Sequence, residues 1–213
     1  MVPKIIHQII GQNPSKLVDI CLESWKDLRP FGFKIEIWDD ERIVTFFNNN
    51  YPEFAALIVN ARNYAEIADV ARYLIVYNYG GIYVDWDISL NKPKEFIDMV
   101  KECKNGFLII DPENGSIASE FFAAKKKEPF LLSLLTDINN TYKNGEQELM
   151  NTPQYSGPFR MKVSLKKTGT DQKIIPVKEV FEYNYREIRQ ADVFRASGII
   201  THFWEHGWIK TGL

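Results

Sequence analysis

The feature that most constrains this chain is a helical run from about Asn60 to Asn78, closed by Gly80-Gly81 and followed at once by Ile82-Tyr83-Val84-Asp85-Trp86-Asp87-Ile88. The C-terminal half of the run is apolar on most sides, and such a helix has to be covered by other elements. Glycines adopt the left-handed backbone that stops a helix, and the seven residues after them read as a strand. Upstream, Lys4 to Ile10 reads as a first strand and Lys16 to Leu28 as a helix with Ser15 as its N-cap. Phe33 to Trp38 reads as a second strand and Glu41 to Phe47 as a second helix. Strand, helix, strand, helix, strand predicts an α/β fold with helices covering a central sheet. Ligands of such sheets bind beyond the carboxyl ends of strands, and the two aspartates stand at such an end.

The second half is less regular. Phe107 to Ile110 and Glu120 to Ala124 are expected strands, Pro129 to Tyr142 a helix, and Gly145 to Gly157 a polar loop. Ile174 to Phe181 and Ile199 to Phe203 are expected strands too. The sequence has no internal repeat or linker, so one domain over residues 1–213 is expected.

Alternation along a strand would put Tyr83, Asp85 and Asp87 on one face, with the two carboxylates about 6–7 Å apart. Carboxylates this close repel unless a cation sits between them. A hard divalent ion with open positions for phosphate oxygens suits the pair. An isolated D-x-D is more often a solvated pair at a sheet edge, but other polar residues gather around this one. Asp69 and Arg72 lie three apart on one helix face. They are either an intrahelical ion pair or a cleft wall, with Arg72 facing a sugar or phosphate oxygen and Asp69 facing sugar hydroxyls. Near the other end, His202 is a neutral nitrogen ligand able to finish the two-aspartate site. An indole N–H from Trp204 or Trp208 can donate to a phosphate oxygen. His7, on the first strand, is placed near the same sheet edge.

The net charge of −2 gives no footprint for nucleic acid. Lys125-Lys126-Lys127 and Lys166-Lys167 read as solvated faces. Cys21 and Cys103 have neither metal-like nor redox-like spacing and fit a reducing compartment. Residues Met1 to Ile6 lack the pattern of a signal peptide, and no segment reaches the roughly 18 apolar residues of a membrane span. A cytoplasmic protein is expected, with the inner face of the membrane as a place it can visit.

Several blocks occur in a telling order: Pro3-Lys4-Ile5-Ile6-His7-Gln8-Ile9, Ser24-Trp25, Ile37-Trp38-Asp39, Ala68-Asp69-x-x-Arg72-Tyr73, Tyr79-Gly80-Gly81-Ile82-Tyr83-x-Asp85-x-Asp87, Gly157-Pro158 and His202-x-Trp204. This order resembles the glycosyltransferase family 32-like group. That group holds the fungal Och1-type mannosyltransferases and bacterial capsular and lipopolysaccharide sugar transferases, and is related to the clostridial glucosylating toxins. The resemblance implies a GT-A fold with a mixed central sheet, a nucleotide-sugar donor and a divalent metal, Mn²⁺ first and Mg²⁺ second. It also implies retention of anomeric configuration and an acceptor that is a saccharide or a lipid-linked glycan.

By motif position it makes Asp87 the direct metal ligand, with Asp85 bridging metal and donor ribose, and puts His202, the third ligand read above, in the C-terminal segment that closes over the diphosphate. The matched blocks further imply donor contacts from His7, Gln8, Ile9, Asp39, Asp69, Arg72, Tyr83, Trp86, Gly157, Trp204 and Trp208. Many relatives carry an aromatic residue after the His-Gln strand. This chain has Ile9-Ile10, so base stacking has to come from elsewhere, and UDP is favoured by analogy with bacterial relatives.

No further carboxylate stands out as a nucleophile, which points to a front-face replacement assisted by the leaving phosphate. The rival readings are a metal-dependent phosphohydrolase using the same aspartates and a non-catalytic nucleotide-sugar-binding module. Acceptor recognition is expected from the loops Gly145 to Gly157 and Glu182 to Ser197.

Overall fold

The computed structural model describes residues 1–190 and 196–205. Strand β1 (Ile5–Ile9) leads to α1 (Lys16–Ser24), whose N-cap hydroxyl on Ser15 accepts the Val18 N–H at 3.2 Å. A 3₁₀ segment over Trp25–Phe31 prolongs α1 until Gly32, at φ 82°, turns the chain into β2 (Lys34–Trp38). Asp39 then caps α2 (Asp40–Asn50), its carboxylate accepting the Arg42 N–H at 2.8 Å.

The long helix read from Asn60 to Asn78 is one helix that starts four residues later, and a short helix not read from the sequence precedes it. α3 (Ala55–Val59) ends before α4 (Tyr64–Tyr79), because the Asn63 side chain takes the Glu66 N–H and starts a new helix. After α4 come β3 (Gly81–Val84), β4 (Ile88–Leu90), α5 (Pro93–Glu102), β5 (Gly106–Ile110), β6 (Ile117–Ala124) and α6 (Pro129–Lys143). The segment expected as a polar loop holds a 3₁₀ turn and α7 (Thr152–Tyr155). α8 (Pro158–Thr168) follows, started by a proline at its first turn, where no N–H is needed. β7 (Lys173–Pro176), α9 (Tyr185–Ile188) and β8 (Ile200–His202) complete the described elements. β7 and β8 are shorter than the strands read from the sequence, Val177–Glu179 being a 3₁₀ turn.

The central sheet has the order β2-β1-β3-β6-β5-β7. β1 runs parallel to β2 and β3, β6 is antiparallel to β3 and β5, and β7 is parallel to β5. The sheet is flanked by helices, as the α/β reading predicts, and mixed, as the resemblance implies. Alternation on β3 sends Tyr83 into the core shared with α4 and α6, and Ile82 and Val84 into the core shared with Trp25 and Phe96. The turn from α4 to β3 is tight on both sides. A Cβ on Gly80 would lie 2.7 Å from the Lys126 nitrogen, and one on Gly81 would lie 2.7 Å from the Ile5 oxygen. Both glycines also have positive φ, so no other residue fits there without strain. β4 leaves the main sheet and pairs with β8, which sets Ile88 opposite His202. Cys21 and Cys103 are buried free thiols. No described helix is long and apolar enough to cross a membrane.

Candidate active site

β3 ends at Val84, and Asp85–Ile88 form a turn closed by the Ile88 N–H on the Asp85 oxygen at 3.2 Å. The single strand expected through Ile88, with Trp86 on its buried face, is therefore corrected. The chain must change direction here to pass from the main sheet into the β4–β8 pair. Trp86 is half-buried and lines a cavity of about 720 Å³, together with both aspartates. Its ring packs over Gly11, where a Cβ would meet it at 3.0 Å.

Three ligand atoms meet at the turn. Asp85, Asp87 and His202 each offer one, all within 4.8 Å of one another. His202 Nε2 lies 3.3 Å from Asp87 Oδ1, and the Glu205 N–H donates to Asp87 Oδ2 at 2.7 Å. Burial alone would raise the Asp87 carboxyl. The His202 imidazole and the Glu205 N–H outweigh it and hold the group below the usual carboxylate range. Asp85 moves the other way, because burial exceeds the pull of Arg72 and Asp87 adds to it. Two hard oxygens and an imidazole nitrogen form a donor set that suits Mn²⁺ or Mg²⁺.

Arg72, on α4, ties the helix to the turn. Its Nη2 lies 3.3 Å from Asp85 Oδ1 and its Nη1 3.5 Å from Asp69 Oδ1. The guanidinium sits 4.7 Å from the Tyr83 ring centroid, and the Tyr83 hydroxyl donates to Asp85 Oδ1 at 2.6 Å. Both contacts on Asp85 fall on Oδ1, which leaves Oδ2 for a ligand role. Asp69 accepts the Ser156 hydroxyl at 2.7 Å, and burial pushes its carboxyl up to about 6 despite Arg72. The two readings of the Asp69–Arg72 pair merge, since it is an ion pair and it lines the cavity.

The cavity also receives Ile9, Tyr83 and Trp204 among the residues singled out by sequence. Four others do not reach it. His7 is buried inside the sheet, where the Trp38 indole N–H donates to its Nδ1 at 3.2 Å. Its Nε2–H therefore donates to the Gly80 oxygen at 2.9 Å, and burial lowers the imidazole to about 4. Gln8 is fully buried, with no hydrogen bond to its amide among the described residues. Asp39 is spent on capping α2. Gly157 caps α8 without lining the cavity; a Cβ there would approach Asp69 Oδ2 at 3.3 Å. Trp208 lies outside the described residues.

Sequence reading missed Ser119 and Glu120, neighbours on β6 that both line the cavity. Regular alternation would send one of them away. The register of β5 against β6 shifts between Leu108 and Ile110, and such a bulge re-aims side chains beside active sites. Ser119 Oγ lies 3.4 Å from Arg72 Nη1, and Glu120 Oε1 lies 3.8 Å from His202 Nδ1. The expectation that no further carboxylate stands near the two aspartates is thus corrected, since Glu120 lines the same cavity. Asp40, Tyr64, Thr152, Pro153 and Phe159 line it as well.

Residues 15–105 match the family described as the glycosyltransferase sugar-binding region containing DXD motif. That span contains the D-x-D triplet Asp85-Trp86-Asp87. The chain is 31% identical over 143 residues to inositol phosphoceramide mannosyltransferase 1 of Schizosaccharomyces pombe, spanning 65% of this chain and 43% of the relative. It is 42% identical over 100 residues to uncharacterized glycosyltransferase L373 of Acanthamoeba polyphaga mimivirus, spanning 43% of this chain and 38% of the relative. The chain thus spans about two fifths of the length of these curated relatives. Among solved structures, PaToxG glycosyltransferase matches at 19% identity with a TM-score of 0.57, over 78% of this chain and 69% of that one. The DXD region therefore sits on a GT-A-type fold, and Asp85-Trp86-Asp87 is its DXD triplet.

Proposed function

We propose that this chain transfers a sugar from a nucleotide-sugar donor to a hydroxyl of a saccharide or lipid-linked glycan. Asp85, Asp87 and His202 would hold a divalent cation, Mn²⁺ before Mg²⁺. The observation that carries the proposal is the convergence of these three residues with the Arg72 guanidinium in one cavity beyond the end of β3. When bound, the cation offsets charge that builds on the donor's diphosphate as the sugar–phosphate bond breaks.

The chain's own groups supply the rest. Arg72 is held charged beside Asp85, and presents fixed N–H donors to donor oxygens in a partly desolvated site. Asp69, backed by Ser156, accepts sugar hydroxyls. Trp86 and Tyr64 bring ring surface to the part of the cavity bordered by Ile9 and Gly11, and so take over the base stacking that Ile9-Ile10 lacks. UDP is the nucleotide we favour. The mannosyltransferase names of the relatives make mannosyl the first sugar to test and a sphingolipid-like headgroup the first acceptor, ahead of capsular or lipopolysaccharide glycans. Transfer with retention by front-face replacement is the mechanism we favour, with Asp85, Asp87 and Asp69 held by partners and Glu120 turned towards His202.

The test is nucleoside diphosphate release from a panel of nucleotide-sugars with Mn²⁺, with and without saccharide acceptors. Acceptor-stimulated release that disappears in Asp87→Ala is the expected result. Release of free sugar at one rate whatever the acceptor would identify a hydrolase instead. Donor binding with no turnover under any condition would reduce the chain to a binding module.

A further inference from the structure

We infer that Glu120 is the outer carboxylate that aims His202 at the cation site, a positioning role that rests on the metal-dependent reading above. His202 is 4% exposed, and its two ring nitrogens face two different acids. Nε2 points at Asp87 Oδ1 from 3.3 Å. Nδ1 is buried, makes no hydrogen bond among the described residues, and lies 3.8 Å from Glu120 Oε1. A buried ring nitrogen without a partner needs a physical reason. Here the nearest carboxylate is one short side-chain adjustment away.

The ring is not free to choose another partner. Trp204 stacks on it, with centroids 4.1 Å apart and planes at 27°, and Phe181 lies 6.2 Å away. Pairing of β8 with β4 fixes the backbone that carries it. Of the two neutral tautomers, the one with a proton on Nε2 would point N–H at Asp87 and remove the ligand lone pair. A carboxylate at Nδ1 selects the other tautomer, with Nδ1–H donating outward and the Nε2 lone pair facing the aspartates. Metal-binding histidines commonly have such an outer acceptor on their second nitrogen. The bulge in β6 is what makes this division of labour available. It lets Ser119 contact Arg72 while its neighbour Glu120 turns to His202.

The experiment titrates the full chain with Mn²⁺ alone, following free Mn²⁺ by electron paramagnetic resonance and imidazole nitrogen coupling by its pulsed form. Wild type should bind Mn²⁺ and show the coupling, and His202→Ala should lose it. Glu120→Ala should bind about 10–100-fold more weakly with the coupling lost or reduced. Glu120→Gln, which keeps an acceptor for Nδ1–H, should retain the coupling. If the alanine variant fails to fold, Glu120→Met fills the space without an acceptor and carries the same expectation. Wild-type affinity and unchanged coupling in Glu120→Ala would overturn this inference and leave the metal site standing. That result combined with lost turnover would make Glu120 a reacting group instead. Absence of Mn²⁺ binding in the wild type would overturn both the inference and the reading beneath it.

Discussion

The backbone N–H of Glu205 donates to Asp87 Oδ2 at 2.7 Å, and the Glu205 carboxylate in turn accepts the Ser15 hydroxyl at 2.8 Å. One residue thereby fastens the segment after β8 to both the DXD turn and the N-cap of α1. Ser15→Ala removes the cap and the tether together. The expected loss is about 1 kcal/mol of stability from the cap, with a raised donor KM as the segment loosens over the cavity. Urea denaturation and donor titration check the two effects separately.

Asp87→Asn keeps the shape of the side chain and removes its charge. Nucleoside diphosphate release should fall by at least about 100-fold, the scale on which a charge-stabilising group acts. Mn²⁺-dependent thermal stabilisation should vanish as well, because only a ligand bound to the native state raises stability. Differential scanning fluorimetry with and without Mn²⁺ reads this independently of turnover.

Arg72→Ala strands Asp69 and Asp85 in a buried site. Breaking a buried ion pair from one side costs about 3–5 kcal/mol, so the melting temperature should drop sharply. Arg72→Lys should recover stability better than activity, since an ammonium cannot reach both acids with a planar fork. Chemical denaturation and kcat measured on the two variants would expose any other pattern.

His7 carries a pH dependence whose sign follows from its lowered pKa. Unfolded, the imidazole titrates near 6.5; folded, it titrates near 4. Between these values the unfolded chain binds more protons, so stability is full above 6.5 and is lost as pH falls towards 4. The span amounts to about 3 kcal/mol. Asp69 works in the opposite direction, because its folded carboxyl is raised to about 6 and favours the fold as pH drops. The clean readout is the difference between wild type and His7→Phe in urea midpoints from pH 7 to pH 4, which should shrink with acidification.

Glu66 on α4 is fully buried and clamps a distant segment. It accepts the Arg62 N–H and Nε–H at 3.0 and 2.9 Å, Gln147 Nε2 at 3.2 Å and the Thr152 hydroxyl at 3.1 Å. Thr152 and Pro153 line the cavity. Glu66→Ala should cost about 3 kcal/mol and raise amide exchange over residues 147–156. Acceptor KM should rise more than donor KM, a split that steady-state kinetics would show.

Local pattern accounts for the alternation of strands and longer helices from β1 to β3, for the glycine stop after α4 and for the pairing of Asp69 with Arg72. Each of these depends on residues a few positions apart, so periodicity and caps reveal them. The boundary at Asn63 is of the same kind, because an asparagine before a helical run is a visible cap.

The site was legible by residue type and not by geometry. The sequence offers His202 as the metal ligand and His7 as a donor contact; sheet burial assigns His7 to Trp38 and Gly80 instead, and the β4–β8 pairing brings His202 to Asp87. The aspartates converge on a turn rather than along a strand, because the chain leaves the sheet at Val84. Glu120 enters the cavity only through a slip in the register of β5 against β6. Short-range order is written in neighbouring residues and can be read from them. Turns between sheets, bulges and cross-strand partners arise from contacts between segments far apart in the chain, and only the folded molecule decides those.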